Sequence, residues 1–251
     1  MINDLDRIEL FGLEFNSYQS VNDAVGALLD VVPDGKIPVV ITPNLDQIVN
    51  FASDPELKSF FMNSFQILPD GMPIVWSSRL LNTPIERRIS GSDLFPLFWK
   101  KIITDKRKVL FVAANERMCR ELKKEYSSAN FYIPPMFELG SENYQSVLDN
   151  LNEIISKTVP EFIIVGISYP KREVLCRDLI EKYGHMDSKY LLIGAAPEFY
   201  AGIKKRAPKW MQDYGLEWFH RLLSEPARLF KRYLITSLKF LPILIKEIRN
   251  K

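Results

Sequence analysis

Short apolar runs alternate with longer amphipathic stretches along this chain, and that alternation strongly limits the folds it can adopt. Several runs are almost continuously apolar, as in Val39-Val40-Ile41, which is typical of strands buried on both faces of a parallel sheet. The predicted strands are residues 8–11, 39–41, 66–68, 109–113, 162–165 and 190–193. The predicted helices are residues 21–31, 44–63 with a break at Asp54-Pro55, 74–81, 93–103, 116–126, 144–156 and 172–183. This pattern predicts an α/β fold with a mostly parallel sheet and helices on both faces.

Charge divides the chain into two unequal parts. Residues 204–251 contain 12 Lys and Arg against four Asp and Glu, whereas residues 1–203 carry a net charge of −6. We therefore expect an acidic α/β body at residues 1–203 and a basic, helical C-terminal appendage at residues 204–251. A basic excess of this size favours an anionic partner, which could be membrane lipid, nucleic acid or a phosphorylated substrate.

The basic appendage has a helical pattern over residues 208–250, with predicted interruptions at Pro226 and Pro242. Its basic residues fall within about 100° of one another around the predicted helix, and they are Arg228, Lys231, Arg232 and Lys239. The opposite side is apolar and consists of Phe230, Leu234, Leu238 and Leu241. Two interpretations stay open. The helix could lie on an anionic membrane surface, or its apolar side could pack on the body while its charges are simply solvated.

Several functional classes have sequence signatures that this chain lacks. No GxGxxG or GxSxG motif occurs, and Gly35-Lys36 is not followed by the Ser or Thr of a phosphate-binding loop. With only two histidines, we expect no metal site, and we expect no cofactor. The two cysteines have no metal or redox spacing, and the first residues do not resemble a signal peptide, which favours a reducing cytoplasm. The most apolar helical stretch, residues 234–245, is too short to span a bilayer.

Polar residues follow two of the predicted strands, where ligands of α/β sheets usually bind. Thr42 and Asn44 come directly after residues 39–41, and Asp70-Gly71 comes after residues 66–68. Thr42 and Asn44 could present a hydroxyl and an amide to a ligand, or they could cap the next helix. Asp70 could act as a catalytic carboxylate, or it could belong to an ordinary Asp-Gly turn.

A third polar segment, residues 87–93, combines two arginines with a predicted helix start. Ser92 or Asp93 could cap that helix, and the free N–H groups of its first turn could bind phosphate together with Arg88. A carboxylate, a helix N-terminus and arginines suit transfer of a group from a nucleotide-diphosphate donor. In such a reaction Asp70 would act as general base on an acceptor hydroxyl, and the arginines would offset charge on the departing diphosphate in place of a metal.

These segments, in this order, resemble the WecG/TagA/CpsF glycosyltransferases, which form glycosyltransferase family 26. The resemblance covers about residues 8–240, and its matching pieces are Thr42-Pro43-Asn44, Leu68-Pro69-Asp70-Gly71, residues 88–94, Gly194-Ala195-Ala196, residues 201–211 and residues 215–226. It implies a Rossmann-like α/β body and metal-independent, inverting sugar transfer. The implied donor is a UDP-sugar, commonly of N-acetylmannosamine (ManNAc) or its uronic acid (ManNAcA).

The resemblance also implies the acceptor, the location and residue roles. The acceptor would be a saccharide on a polyprenyl (undecaprenyl) diphosphate in bacterial cell-envelope polysaccharide synthesis, and the enzyme would be peripheral at the cytoplasmic side of the inner membrane. Asp70 would be the general base, with substrate binding by Thr42, Asn44, Gly71, Arg88, Ser92 and Asp93. The appendage would close over the site and reach the membrane. Its basic residues that match, or lie near, basic positions of the family are Arg221, Arg228, Lys231 and Arg232.

The chain departs from the family pattern at a Pro-Lys-Gln-Glu segment, which here ends in Arg172-Glu173. Both residues are candidate substrate ligands. Arg172 could bind an acidic donor sugar or a phosphate, or it could be a surface substitution. An alternative function is a non-catalytic scaffold protein of a polysaccharide assembly complex. Nucleic acid is not an expected partner, because aromatic residues do not interleave with the basic ones in a known pattern. Homo-oligomerisation is left open.

Overall fold

The computed structural model describes residues 7–250, except for the side chains of Asp213 and Arg228. Over those residues the strands are β1 (Arg7–Leu10), β2 (Leu13–Asn16), β3 (Ile37–Ile41), β4 (Ser64–Ile67), β5 (Val109–Val112), β6 (Asn130–Tyr132), β7 (Phe162–Val165) and β8 (Lys189–Leu192). Strands β3 to β8 form one parallel sheet in the order β4-β3-β8-β7-β5-β6. The expected Rossmann-like α/β class is confirmed.

Helices connect these strands and continue beyond the last one. They are α1 (Val21–Asp30), α2 (Leu45–Ser53), α3 (Pro55–Met62), α4 (Met72–Leu80), α5 (Gly91–Thr104), α6 (Glu116–Glu125), α7 (Glu142–Thr158), α8 (Lys171–Tyr183), α9 (Ala196–Tyr200), α10 (Lys209–Asp213), α11 (Glu217–Ser224) and α12 (Pro226–Arg249). The predicted break near Asp54 is confirmed, since the Asp54 side chain accepts a hydrogen bond from the Leu57 N–H and Pro55 begins α3. Within residues 7–250, no helix has the length and apolar character needed to cross a bilayer.

Helices cover the parallel sheet on both faces because its strands are apolar on both sides. In β3, Val39 and Ile41 belong to one hydrophobic cluster and Val40 to the other. Residues of α2, α7 and α8 pack in the first cluster, and residues of α1, α5 and α6 pack in the second. The sheet is thus a central layer whose carboxyl edge stays available for polar loops.

The first predicted strand lies outside the parallel sheet, so its assignment to that sheet is wrong. β1 and β2 form a separate antiparallel hairpin in which Leu10 pairs with Leu13. Phe11 and Gly12 form the two-residue turn with φ of 57° and 68°, and positive φ at both positions matches the right-handed twist of paired strands. The hairpin reaches the sheet through Asn16, whose side-chain oxygen accepts a hydrogen bond from the Ile67 N–H at 2.8 Å.

The C-terminal helix α12 begins at Pro226 as predicted, but the expected interruption at Pro242 is wrong. Pro242 lies within one continuous helix. It is exposed, as is Leu238 one turn earlier, so water can solvate the carbonyl group that proline leaves unpaired.

Helix α12 packs on the body with a different face from the predicted apolar side. Leu229, Thr236 and Phe240 are buried, and the Phe240 ring meets Phe11 at a centroid distance of 5.2 Å. The predicted apolar side is instead exposed over four residues, which are Phe230, Leu234, Leu238 and Leu241. We call these four residues the exposed stripe.

Candidate active site

The loops that follow β3 and β4 meet at the carboxyl edge of the sheet. The backbone N–H of Asp70 donates to the carbonyl oxygen of Pro43 at 3.1 Å, which holds the two loops together. Thr42, the residue before Pro43, is buried. Gly71 has φ of 109°, a conformation that L side chains rarely adopt, and it is the N-cap residue of α4 immediately after Asp70. The carboxylate of Asp70 is therefore carried by a backbone fixed on both sides.

Arg88 reaches this edge through a second backbone contact and binds two carboxylates. The N–H of Ile89 donates to the carbonyl oxygen of Pro69 at 2.9 Å. One terminal nitrogen of Arg88 donates to Asp93 Oδ2 at 3.0 Å, and the other donates to Glu217 Oε2 at 3.1 Å. The guanidinium group of Arg88 thus links the start of α5 to α11.

The start of α5 differs from the sequence expectation, because the cap is Ser90 and neither Ser92 nor Asp93. Ser90 Oγ accepts from the Asp93 N–H at 3.2 Å, and the Asp93 carboxylate accepts in return from Ser90 Oγ at 2.7 Å. A helix beginning at Gly91 makes Ser90 the capping residue and puts Asp93 at its third position, which is a capping box. The Ser92 carbonyl oxygen accepts from Arg206 Nη1 at 3.2 Å.

Burial and a surrounding set of charges tune the acidity of Asp70. Burial raises the pKa of Asp70 to about 6, while the positive charges of Arg88 and Arg221 limit the rise. The negative charges of Glu217 and Asp93 act in the same direction as burial. A carboxyl group with a pKa near 6 is mostly ionised at pH 7 yet is a stronger base than an ordinary aspartate, which is what general base catalysis requires.

A second polar group lies at the start of α2. The side-chain oxygen of Asn44 accepts from the N–H groups of Asp46 and Gln47, so the capping interpretation of Asn44 is confirmed. Gln47 Nε2 in turn donates to Glu173 Oε1 at 2.9 Å. Glu173 is fully buried, and Oε1 also accepts from Arg172 Nε at 2.6 Å.

Arg172 is buried rather than placed on the surface, which excludes the surface-substitution interpretation. A Cβ atom added to Gly194, just after β8, would meet Arg172 Nη1, so a side chain at this position would displace the guanidinium group. The second carboxylate oxygen of Glu173 is buried and has no hydrogen-bond partner among the described residues. Arg172 and Glu173 therefore form a buried pair whose polar capacity is only partly used.

The basic residues of the C-terminal segment are found in different places. Arg221 Nη2 lies 3.5 Å from Glu217 Oε1, beside the Asp70 site. Arg232 pairs instead with Asp46 of α2, which also accepts from Thr236 Oγ1 at 2.8 Å, so Arg232 anchors α12 to the body. Lys231 is exposed. Arg228 is the third residue of α12, and its side chain lies outside the part of the chain that the structure describes.

Comparisons with known proteins agree with this arrangement. The profile of the family described as "Glycosyl transferase WecG/TagA/CpsF family" matches residues 8–251. The chain belongs to this glycosyltransferase family.

Three relatives carry the name N-acetylglucosaminyldiphosphoundecaprenol N-acetyl-beta-D-mannosaminyltransferase. The protein of Bacillus subtilis (strain 168) is 30% identical over 87% of this chain and 83% of its own length. That of Bacillus spizizenii is 27% identical over 84% and 79%, and that of Staphylococcus aureus (strain MRSA252) is 26% identical over 83% and 78%. This chain is therefore similar to these transferases over most of both lengths.

The polar cluster near Asp70 includes two residues, Arg206 and Glu217, that reasoning from the sequence did not select. Arg206 Nη2 donates to Asp93 Oδ1 at 2.6 Å and Arg206 Nε donates to Glu217 Oε1 at 3.3 Å. Both residues lie inside blocks that resemble the family, and that placement was the signal available for finding them. Among the described residues, no group of three or more His, Cys, Asp or Glu side chains is arranged to hold a metal ion.

Proposed function

We propose that this glycosyltransferase moves ManNAc, ManNAcA or a related sugar from a UDP-sugar to a polyprenyl-diphosphate-linked saccharide. The observation that carries this proposal is a carboxylate of raised pKa, Asp70, beside a set of arginines at the carboxyl edge of the sheet. The names of the relatives support the acceptor, because they describe mannosaminyl transfer to N-acetylglucosamine (GlcNAc) on diphosphoundecaprenol.

In the proposed reaction, Asp70 takes the proton from the acceptor hydroxyl as that oxygen bonds to the anomeric carbon of the donor sugar. The bond from that carbon to the UDP oxygen breaks on the opposite face, so the anomeric configuration inverts. Asp70 is suited to this step because its carboxyl group is mostly ionised at neutral pH. General base catalysis typically raises the reaction rate by about 10²–10⁴-fold.

The departing diphosphate needs positive charge, and the arginines are the proposed source. Arg88, Arg206 and Arg221 converge on two carboxylates, Asp93 and Glu217, close enough to Asp70 for Arg88 and Arg221 to affect its pKa. Guanidinium groups fixed before the reaction can stabilise charge that develops in the transition state. We therefore propose a metal-independent reaction in which arginines take the role that a metal has elsewhere.

The donor sugar is proposed to contact the second polar group. Thr42 and Asn44 flank Pro43, whose carbonyl oxygen accepts from the Asp70 N–H. The buried pair of Arg172 and Glu173 is joined to Gln47 by the hydrogen bond from Gln47 Nε2 to Glu173 Oε1. Arg172 could pair with the carboxylate of a uronic acid donor, while the unpartnered oxygen of Glu173 could accept from a sugar hydroxyl or amide. A donor carrying a carboxylate is thus one of the candidates to test.

The C-terminal segment is proposed to bind the cytoplasmic face of the inner membrane as a peripheral appendage of the body. The exposed stripe gives α12 a row of apolar side chains, and Lys231 and Lys239 are exposed on the same helix. Apolar side chains combined with basic charge are typical of helices that lie in the interface of anionic bilayers. Such binding would bring the Asp70 site to the lipid-linked acceptor.

A donor and acceptor screen tests the proposal. The full chain is incubated with UDP-ManNAc, UDP-ManNAcA or UDP-GlcNAc and a polyprenyl-diphosphate-GlcNAc acceptor, with and without a chelator. We expect mass spectrometry to find one added mannosamine-type sugar, formed equally well with the chelator. If no donor gives product, the transfer proposal is wrong, and absence of UDP binding in calorimetry would favour the scaffold alternative.

A further inference from the structure

One carboxylate, that of Glu217, joins all three arginines near Asp70. Arg88 Nη1 donates to Glu217 Oε2 at 3.1 Å, Arg206 Nε donates to Oε1 at 3.3 Å, and Arg221 Nη2 donates to Oε1 at 3.5 Å. These arginines come from three separate segments, which are the loop before α5, the connection before α10, and α11 itself. Glu217 is therefore one of the points at which charged side chains of the body and of the C-terminal segment meet, as at Arg206–Asp93 and Arg232–Asp46.

Glu217 is buried, so its ionised carboxylate needs positively charged partners. Only 8% of Glu217 is exposed, and an isolated carboxylate at such a position would carry a large desolvation cost. Burial does raise the pKa of Glu217, but Arg206 and Arg221 more than compensate and hold it below its usual range. Glu217 therefore stays ionised at neutral pH, and each arginine has a fixed partner.

The charges around Asp70 form a balanced set. Three carboxylates, Asp70, Asp93 and Glu217, face three guanidinium groups, Arg88, Arg206 and Arg221. When Asp70 accepts the proton of an acceptor hydroxyl, this set gains one positive charge. This positive charge appears as negative charge develops on the departing diphosphate. A set that is neutral before the reaction therefore stabilises the transition state more than it stabilises the bound donor.

We propose that Glu217 is a positioning residue that holds Arg88, Arg206 and Arg221 in one cluster beside Asp70. This role rests on the proposed function. It differs from that of Asp70, since Glu217 acts through the arginines and does not touch the reacting atoms.

The test replaces Glu217 with glutamine, which keeps the shape and one acceptor oxygen but removes the charge. We expect kcat for transfer to fall by up to about 100-fold, because small displacements of groups around the reacting atoms have effects of that size. The KM for the UDP-sugar should not rise, because the resting cluster now carries an extra positive charge. The control is Glu247→Gln, which makes the same charge change in the last turns of α12 and should leave both parameters unchanged.

A measurement without turnover separates this role from a merely structural one. The carboxyl carbon of Asp70, assigned by its loss in Asp70→Asn, is followed by NMR as a function of pH in the full chain. Four charged groups act on Asp70, namely Arg88, Asp93, Glu217 and Arg221. Since Glu217 raises the pKa of Asp70, Glu217→Gln should lower it, and the acidic limb of the pH–rate profile should move to lower pH by the same amount.

Three outcomes are decisive. A lowered Asp70 pKa together with reduced kcat supports the positioning role. An unchanged or raised Asp70 pKa in a folded Glu217→Gln variant refutes it. If the wild-type chain transfers no sugar, the proposed function fails, while a lowered Asp70 pKa in Glu217→Gln still shows that the Glu217 carboxylate acts on Asp70, and an unchanged one still refutes the positioning role. Should Glu217→Gln not fold, Glu217→Asp keeps the charge but draws the carboxylate back from the three arginines, and an unchanged kcat in that variant refutes the proposal.

Discussion

Replacing Asp70 with asparagine should stabilise the folded chain at neutral pH while removing its activity. The ionised carboxylate is held where burial disfavours charge, and its pKa is about 6 against about 3.9 in an unfolded chain. A pKa higher by about two in the folded state corresponds to about 3 kcal/mol. Asparagine resembles the neutral acid in shape and charge, so the variant escapes this penalty.

The direction of the effect with pH follows from proton linkage. The folded chain holds the Asp70 proton more tightly than the unfolded chain does, so stability falls as pH rises from about 4 to about 6. Above pH 6 the penalty is complete, and below pH 4 both states are protonated. The stabilisation by Asp70→Asn should therefore be about 3 kcal/mol near pH 7.5 and should vanish near pH 4.

Thermal unfolding at the two pH values measures this difference. For a chain of this size, 3 kcal/mol corresponds to a rise in Tm of about 6–12 °C near pH 7.5. Asp34→Asn, at an exposed loop position, is the matched control and should leave Tm almost unchanged at both pH values. If Asp70→Asn is equally or less stable than the wild type near pH 7.5, the raised pKa of Asp70 is refuted.

Three further variants test the backbone and the C-terminal helix. Gly71→Ala should destabilise the chain by about 1–3 kcal/mol in denaturant unfolding, because its φ of 109° strains any L side chain; unchanged stability would contradict this. Phe240→Ala should cost about 3–5 kcal/mol of unfolding free energy, because its ring is buried against the body; a small loss would mean that α12 is not docked. Leu234→Asp with Leu238→Asp should keep the wild-type Tm but reduce sedimentation with anionic vesicles, and full vesicle binding would rule out the exposed stripe as the membrane surface.

The parallel sheet was predictable because its central strands are continuous apolar runs, whereas the hairpin was not. Phe11 takes a positive φ of 57°, which no residue-level preference indicates for phenylalanine, and the turn it forms with Gly12 redirects β1 away from the sheet. The edge strand β6 was missed because it is only three residues long and begins at the exposed Asn130. Turn conformation and edge pairing depend on tertiary contacts that periodicity does not report.

The position of Asp70 at the carboxyl edge of the sheet could be predicted, because strand ends in α/β folds carry ligands and Asp70 follows a strand. Arg88 and Arg221 were also selected from the sequence, but Arg206 and Glu217 were not. Glu217 binds Arg88, 129 positions earlier in the chain, and Arg206 binds Asp93, 113 positions earlier. The packing face of α12 was also missed, because the helix has apolar residues on two sides. Which side packs on the body is decided by the shape of α2 and the hairpin.

The account depends most directly on Asp70 as the base for sugar transfer. The decisive measurement compares wild type and Asp70→Asn in single-turnover transfer from a UDP-sugar accepted by the wild type to polyprenyl-diphosphate-GlcNAc, with Asp34→Asn as control. We expect the rate to fall by about 10²–10⁴-fold in Asp70→Asn, in a chain at least as stable as the wild type, and to be unchanged in the control. Transfer by Asp70→Asn at the wild-type rate would contradict the account.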